Sequence, residues 1–229
     1  LTLVLMAVSP SLVFYSRFFI HEIFVVFFSL GTIVSLYQYF KTKKSLWIVL
    51  TGIALGCLVS AKETWPIFII AMGIAAAIIY LYKSEKQFIL LKHCITIAGI
   101  ALATTFLFYS DFFRDINNST DIFRAYNPYL ERASSEGIHN HPWYFYLNII
   151  FPFSASGNWF HLGESLLFLI YILSLPMMLY SKNQPKVVKF LFWYSFILFI
   201  VFSAIPYKTT WNILSIMPGI IIVSANTII

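Results

Sequence analysis

Charge is scarce in this sequence. Only 10% of its 229 residues are Asp, Glu, Lys or Arg, against 60% hydrophobic and 19% aromatic residues. No soluble domain of this length has enough interior to hide so much apolar side chain, so a water-soluble globular fold is excluded and much of the chain must face lipid. Cysteine is nearly absent. Cys57 and Cys94 both fall inside apolar runs, where they read as two small hydrophobes, and nothing in their placement suggests a disulfide framework or a zinc site. There is no Walker loop, no G-x-S-x-G, no H-E-x-x-H and no G-x-G-x-x-G. Nucleotide chemistry therefore has no visible site, and an enzyme built on this chain needs a membrane-borne donor. The net charge of +6 is spread over short loops with no basic stripe, which sets nucleic acid aside as a partner.

What is present is a series of apolar runs long enough to cross a bilayer, for which about 18 to 20 residues are needed. Leu1 to about Val8 reads as the end of a span, closed by Ser9-Pro10. Spans follow at about Ile23–Phe40, Leu46–Ala61, Ile67–Tyr82, His93–Ser110, Leu162–Tyr180 and Val188–Ile205, with a last one after Asn212. The expected fold is an all-α polytopic transmembrane bundle of about seven spans, one transmembrane domain over residues 1–229 with an outer polar loop at about 111–161. Within that loop Pro142 to about His161, broken at Pro152 and Gly157, suits an interfacial or re-entrant helix. The chain opens at Leu1 with no basic n-region or cleavage site, and it ends inside an apolar run. It reads as an internal piece of a larger protein, with an N-terminal part and any C-terminal domain outside it.

Alternate connections must lie on opposite sides of the membrane, and the charges separate accordingly. One side collects nine lysines (41, 43, 44, 83, 86, 92, 182, 186 and 189) against Glu85 alone, a net +8. The other holds six cations, including Arg17, Lys62 and Lys208, against eight acids, a net −2. The positive-inside rule puts the first side in the cytoplasm. The unusual polar motifs then share the extracytoplasmic face.

Four of those motifs are candidates. Arg17, His21 and Glu22 stand together in Ser16–Glu22, between two apolar runs. Ionisable groups at membrane depth are costly and mark a substrate path, an ion site or a buried pair. Arg17 offers a planar fork of donors to a phosphate, or snorkels to headgroups. Glu22 can orient a hydroxyl or a divalent metal, or pair with Arg17 or a neighbouring helix. Lys62-Glu63 ends the small-residue run Gly52–Ala61, which permits close helix packing and would draw Lys62 into the bundle; the plain alternative is an interface anchor beside Trp65. His139 and His141, two residues apart with no nearby third ligand, are a weak metal signal. Trp143 and its aromatic neighbours suit an interface belt better than a stacking platform for a sugar or prenyl chain. Lys208, in Tyr207–Asn212, is a third cation of the same face. Asn117–Thr120 contains two overlapping glycosylation sequons, short enough to occur by chance.

In their order along the chain, S-P-S-L-V-F-Y-S-R-F-F-I-H-E-I-F, G-I-A-L-G-C-L-V-S-A-K-E, H-N-H-P-W-Y-F-Y-L and I-P-Y-K-T-T-W-N resemble the GT-C-type, polyprenyl-phosphate-dependent membrane glycosyltransferases. That superfamily includes the protein O-mannosyltransferases and the aminoarabinose–lipid A transferases, and the prokaryotic flippase-activity-associated branch is the nearest match. The resemblance implies a polyprenyl-phosphate-linked sugar as donor, transferred with inversion to a protein, lipid or glycan acceptor in a prokaryotic plasma membrane. It places the main catalytic acid in a first external loop, upstream of Leu1. Glu22 stands where the family's S-R-x-x-x-x-D pattern has its acid, here Glu for Asp, and takes an assisting role in metal or acceptor binding. Arg17 and Lys62 match the cations expected to hold the lipid phosphate, with Lys208 a weaker match. The alternatives are a flippase or transporter component, or a non-catalytic accessory protein for lipid-linked sugars. No internal repeat with broken helices favours the transporter.

Overall fold

A computed structural model describes residues 1–81, 91–124, 139–151, 162–181 and 183–229. The basic loop read over Lys83–Lys92 lies mostly outside these residues, as do the Pro152–His161 part of the interfacial segment and residues 125–138 of the outer loop.

The described chain is an all-α membrane bundle. Helices α1 (Thr2–Val8) and α2 (Pro10–Tyr15) are separated at Ser9, where Pro10 removes a backbone donor and takes the first helical position. The spans follow as α3 (His21–Thr42), α4 (Ser45–Ala61), α5 (Trp65–Leu81) and α6 (Leu91–Tyr109). A 3-10 segment at Ile116–Thr120 leads into α7 (Asp121–Arg124), and α8 (Phe145–Ile150) is the described part of the interfacial stretch. The chain then forms α9 (Leu162–Leu173), α10 (Leu175–Tyr180), α11 (Lys186–Ala204), a 3-10 turn at Thr210–Ser215 and α12 (Met217–Ile228).

Among the described residues, four helical stretches are long and apolar enough to cross a membrane: His21–Thr42, Leu91–Tyr109, Lys186–Ala204 and Thr210–Ile228. Ser45–Ala61, Trp65–Tyr80 and Gly163–Leu173 are apolar but shorter, so the seven expected spans appear as four long helices and three short ones. The run read as one span over Leu162–Tyr180 is interrupted at Ser174, because Pro176 in the first turn of α10 has no N–H to continue the ladder. Ser174 Oγ donates to Tyr171 O at 2.7 Å across the break.

The helices gather into two compact units, one from Leu1–Ile20, Ile69–Tyr82 and Glu136–Ile229, the other from His21–Phe68 and Lys83–Ser135. The second unit rests on α4. Its partner α3 returns through the tight turn at Lys43, which is left-handed (φ 58°) and lays its ammonium over the rings of Tyr39 and Phe40. On α4's other side α6 runs parallel to it, because Gly52 and Gly56 present backbone instead of side chain. A Cβ on Gly52 would come within 2.7 Å of Ile100 Cβ, and one on Gly56 within 2.6 Å of Ala101 O and Thr104 Cβ. Thr105 Oγ1 donates to Gly56 O across this seam at 3.3 Å. Close approach of this kind substitutes dispersion for the hydrophobic drive that lipid does not supply.

The first unit is built round α12. Met217, Ile220, Ile221, Val223 and Ala225 are all fully buried. Gly219 lies against Ser195 and Leu191 of α11, and Ser224 Oγ donates to Leu167 O of α9 at 2.7 Å. Tyr171 of α9 stacks on Phe192 of α11 and donates to its carbonyl at 2.6 Å.

The glycine seam is open to test. Gly73 of α5 has nothing described within 4 Å of a built Cβ, so it reports the propensity change without a clash. Gly56→Val is expected to destabilise the protein by about 2 kcal/mol more than Gly73→Val, an overpacking cost. Thermal melts of the two variants in one detergent give the comparison.

Candidate functional site

Glu22 occupies the first turn of α3, where the exposed amides of a helix start favour an acid. It is only 4% exposed. Its charge is met by Lys62, which follows the last turn of α4 in extended backbone and directs its ammonium onto Glu22 Oε1. The pair therefore closes the polar end of the α3–α4 hairpin. Of the pairings open to Glu22 in the sequence, a neighbouring helix is the one observed. Lys62 stays partly accessible, with 17% of its side chain exposed. An ammonium has three protons to donate, so one carboxylate does not exhaust it. Glu63 beside it is half-buried, and His21 at the start of α3 is exposed.

Arg17 follows α2 in the other unit, and its side chain is exposed. No described residue forms an ion pair with its guanidinium.

Lys208 has a different environment. It is 1% exposed, and its ammonium donates to His141 O at 2.9 Å and Ile205 O at 2.5 Å. Its backbone N–H also donates to His139 O at 2.8 Å, and His141 N–H donates to Pro206 O at 3.1 Å, forming a short antiparallel bridge between Asn140 and Tyr207. Lys208 thus ties the stretch before α8 to the stretch after α11. Burial lowers its pKa, because desolvation disfavours the charged amine. Beside this bridge the His139 ring packs on Tyr207, and His141 lies flat on Phe145 with centroids 4.1 Å apart. Trp143 is 67% exposed. Below, Tyr146 is wholly buried, donates to Thr209 O at 3.2 Å and accepts from Asn212 Nδ2 at 3.3 Å.

Among the described residues no three of His, Cys, Asp or Glu come together as metal ligands. Glu22 is a single carboxylate already paired with a cation, a donor set that does not fit a divalent ion.

One buried acid stands outside the motifs read from the sequence. Glu164, in the first turn of α9, is 1% exposed, and its Oε1 accepts from Ser9 Oγ at 2.6 Å, Ser11 N–H at 2.9 Å and Ser11 Oγ at 2.6 Å. A lone Glu at the head of an apolar run was the available signal. Its partners lie more than 150 residues away.

Two measurements test these environments. Lys62→Met leaves the Glu22 carboxylate buried and unpaired, which costs about 3 kcal/mol. The double variant Lys62→Met/Glu22→Gln should recover much of that loss in a thermal melt. For Lys208, the native amine loses its proton at lower pH than the unfolded one, so between the two values the unfolded state binds more protons. Stability relative to Lys208→Met should therefore rise with pH above the lowered native pKa and level off near 10.5, the ordinary lysine value.

No curated protein and no solved structure matches this chain. Residues 1–114, which carry Arg17, the Glu22–Lys62 pair and the α4–α6 seam, match the family model for dolichyl-phosphate-mannose-protein mannosyltransferases. Such proteins are membrane mannosyltransferases that draw on a dolichyl-phosphate-linked sugar, in keeping with the GT-C resemblance of the motifs. Over residues 1–114 the chain is similar to the dolichyl-phosphate-mannose-protein mannosyltransferase family.

Proposed function

We propose that the protein transfers a sugar from a polyprenyl-phosphate donor to an acceptor hydroxyl at the extracytoplasmic face of the membrane. The observation that carries this reading is the family match over residues 1–114, the stretch that holds Arg17 and the buried Glu22–Lys62 pair. The charge separation between alternate loops supports the choice of face.

The chemistry sets what the site must do. The acceptor oxygen attacks the anomeric carbon from the side opposite the phosphate, and the carbon–oxygen bond to the lipid phosphate breaks. The phosphate leaves with the bonding electrons, and the acceptor proton passes to a base. Fixed positive charge stabilises the departing phosphate most where water is excluded. Each of two cations, Arg17 in one unit and Lys62 in the other, is a candidate for that phosphate. Arg17 is free to present its planar fork, and Lys62 is held in place by Glu22. The assisting role of Glu22 is to fix that lysine. Trp143, His139 and His141 are assigned to the path of the sugar or prenyl chain, and a protein is the acceptor that the family name favours.

The test uses the full-length protein in lipid nanodiscs with radiolabelled polyprenyl-phosphate sugars, mannose first, and candidate acceptors. Arg17→Ala should lower kcat/KM about a hundredfold, the cost of removing one such stabilising donor, and Glu22→Gln should fall in the same direction. Saturable donor binding without transfer, weakened in Arg17→Ala, would overturn catalysis and favour a flippase component.

A further inference from the structure

We infer that Glu164 is a positioning residue for donor recognition: it anchors the head of α2 and thereby sets where Arg17 stands. The inference rests on the proposed role of Arg17 at the lipid phosphate.

Three observations within one unit lead to it. First, the Ser9-Pro10 break frees α2 from α1, so nothing in the helix ladder itself fixes the direction in which α2 leaves. Second, Glu164 supplies that direction. A single carboxylate oxygen gathers Ser9 Oγ, Ser11 N–H and Ser11 Oγ, all within 2.9 Å, while Glu164 and Ser9 are 1% and 2% exposed. Charged acceptors make the stronger hydrogen bonds, and a buried carboxylate that lost these partners would bear its full desolvation cost. The contact is therefore worth keeping on both sides. Third, Arg17 has no described ion-pair partner of its own. It stands two residues past the end of the six-residue α2, which rises about 6 Å from Ser11 to Tyr15 at 1.5 Å per residue. A cation with no side-chain tether takes its position from its backbone, and the described polar tether of that backbone is Glu164. The 3-10 turn at Thr210–Ser215 packs against α2 as well, giving the anchored helix a surface to rest on.

Glu164 does not touch the donor in this scheme. Its loss should therefore act through Arg17, in the same sense as Arg17→Ala and by a smaller factor. In nanodiscs, Glu164→Ala is expected to lower kcat/KM for the donor about tenfold, the equivalent of losing hydrogen bonds to a charged group. Glu164→Gln keeps an acceptor oxygen and should restore most of the wild-type kcat/KM. Ser11→Ala, a milder cut at the same anchor, should move kcat/KM in the same direction and guards against a Glu164→Ala variant that fails to fold. The deciding arm is a double-variant cycle. In an Arg17→Ala background, Glu164→Ala should add little, because its effect passes through Arg17. A loss of active fraction with kcat/KM per active molecule unchanged, or an undiminished effect without Arg17, would overturn the inference and reduce Glu164 to a packing contact. If the wild type transfers no sugar, the transferase reading fails separately. Binding of polyprenyl phosphate alone, measured in the same variants, then still decides whether Glu164 acts through Arg17.

Discussion

A carboxylate at the head of a membrane helix cannot rely on water, and Glu22 answers this with a lysine from the next helix. The pair acts as a clasp on the polar end of the α3–α4 hairpin, whose other end is closed by the Lys43 turn. Such a clasp is a poor source of net stability, since desolvating two charges roughly cancels their attraction. What it supplies is register. With Lys62 bound to Glu22, α4 cannot slide along α3 without exposing a buried charge. The glycine stripe on the opposite flank of α4 is useful only while that register holds, because Gly52 and Gly56 must face Ile100, Ala101 and Thr104 of α6. A shift by one residue would set Ile53 and Cys57 against that surface instead.

The same division of labour recurs in the other described contacts. Apolar surface fills the space, and a few buried polar groups choose one arrangement among the many that apolar surface allows. Tyr39 Oη and His93 Nδ1, 2.8 Å apart, link α3 to α6 at the lysine-rich end. Glu164 joins the α1–α2 break to α9, and Lys208 joins two loop stretches through carbonyls.

What was legible in the sequence follows from this. Spans are written as apolar runs, and the Ser9-Pro10 break and the small-residue face of α4 are written in residue types whose backbone consequences are local. Arg17, Glu22 and Lys62 stood out because a charge beside a long apolar run is conspicuous. Their partners were not legible, since Glu22 had Arg17 nearby in sequence and Lys62 forty residues away, and it is Lys62 that pairs with it. Lys208 illustrates a harder case. Its partners are two backbone carbonyls, which every residue possesses and no sequence pattern marks. The kink at Ser174 was missed for the opposite reason: Pro176 is plainly visible, but a proline in the first turn of a helix and one inside a span look alike until the break is placed.

The contrast between the cations bears on how a polar face can recognise an anion at all. Lys208 is fully enclosed, and its charge is spent holding two loops together. Lys62 is half spent, bound to one carboxylate and still partly exposed. Arg17 is unspent. Taken each within its own unit, these cations differ in how much must be given up to bind an anion. Displacing carbonyls from Lys208 would leave buried acceptors unpaired, whereas Arg17 exchanges only water and headgroups. The burial of a cation, more than its proximity to a motif, separates those that hold the protein together from those that remain available to a substrate.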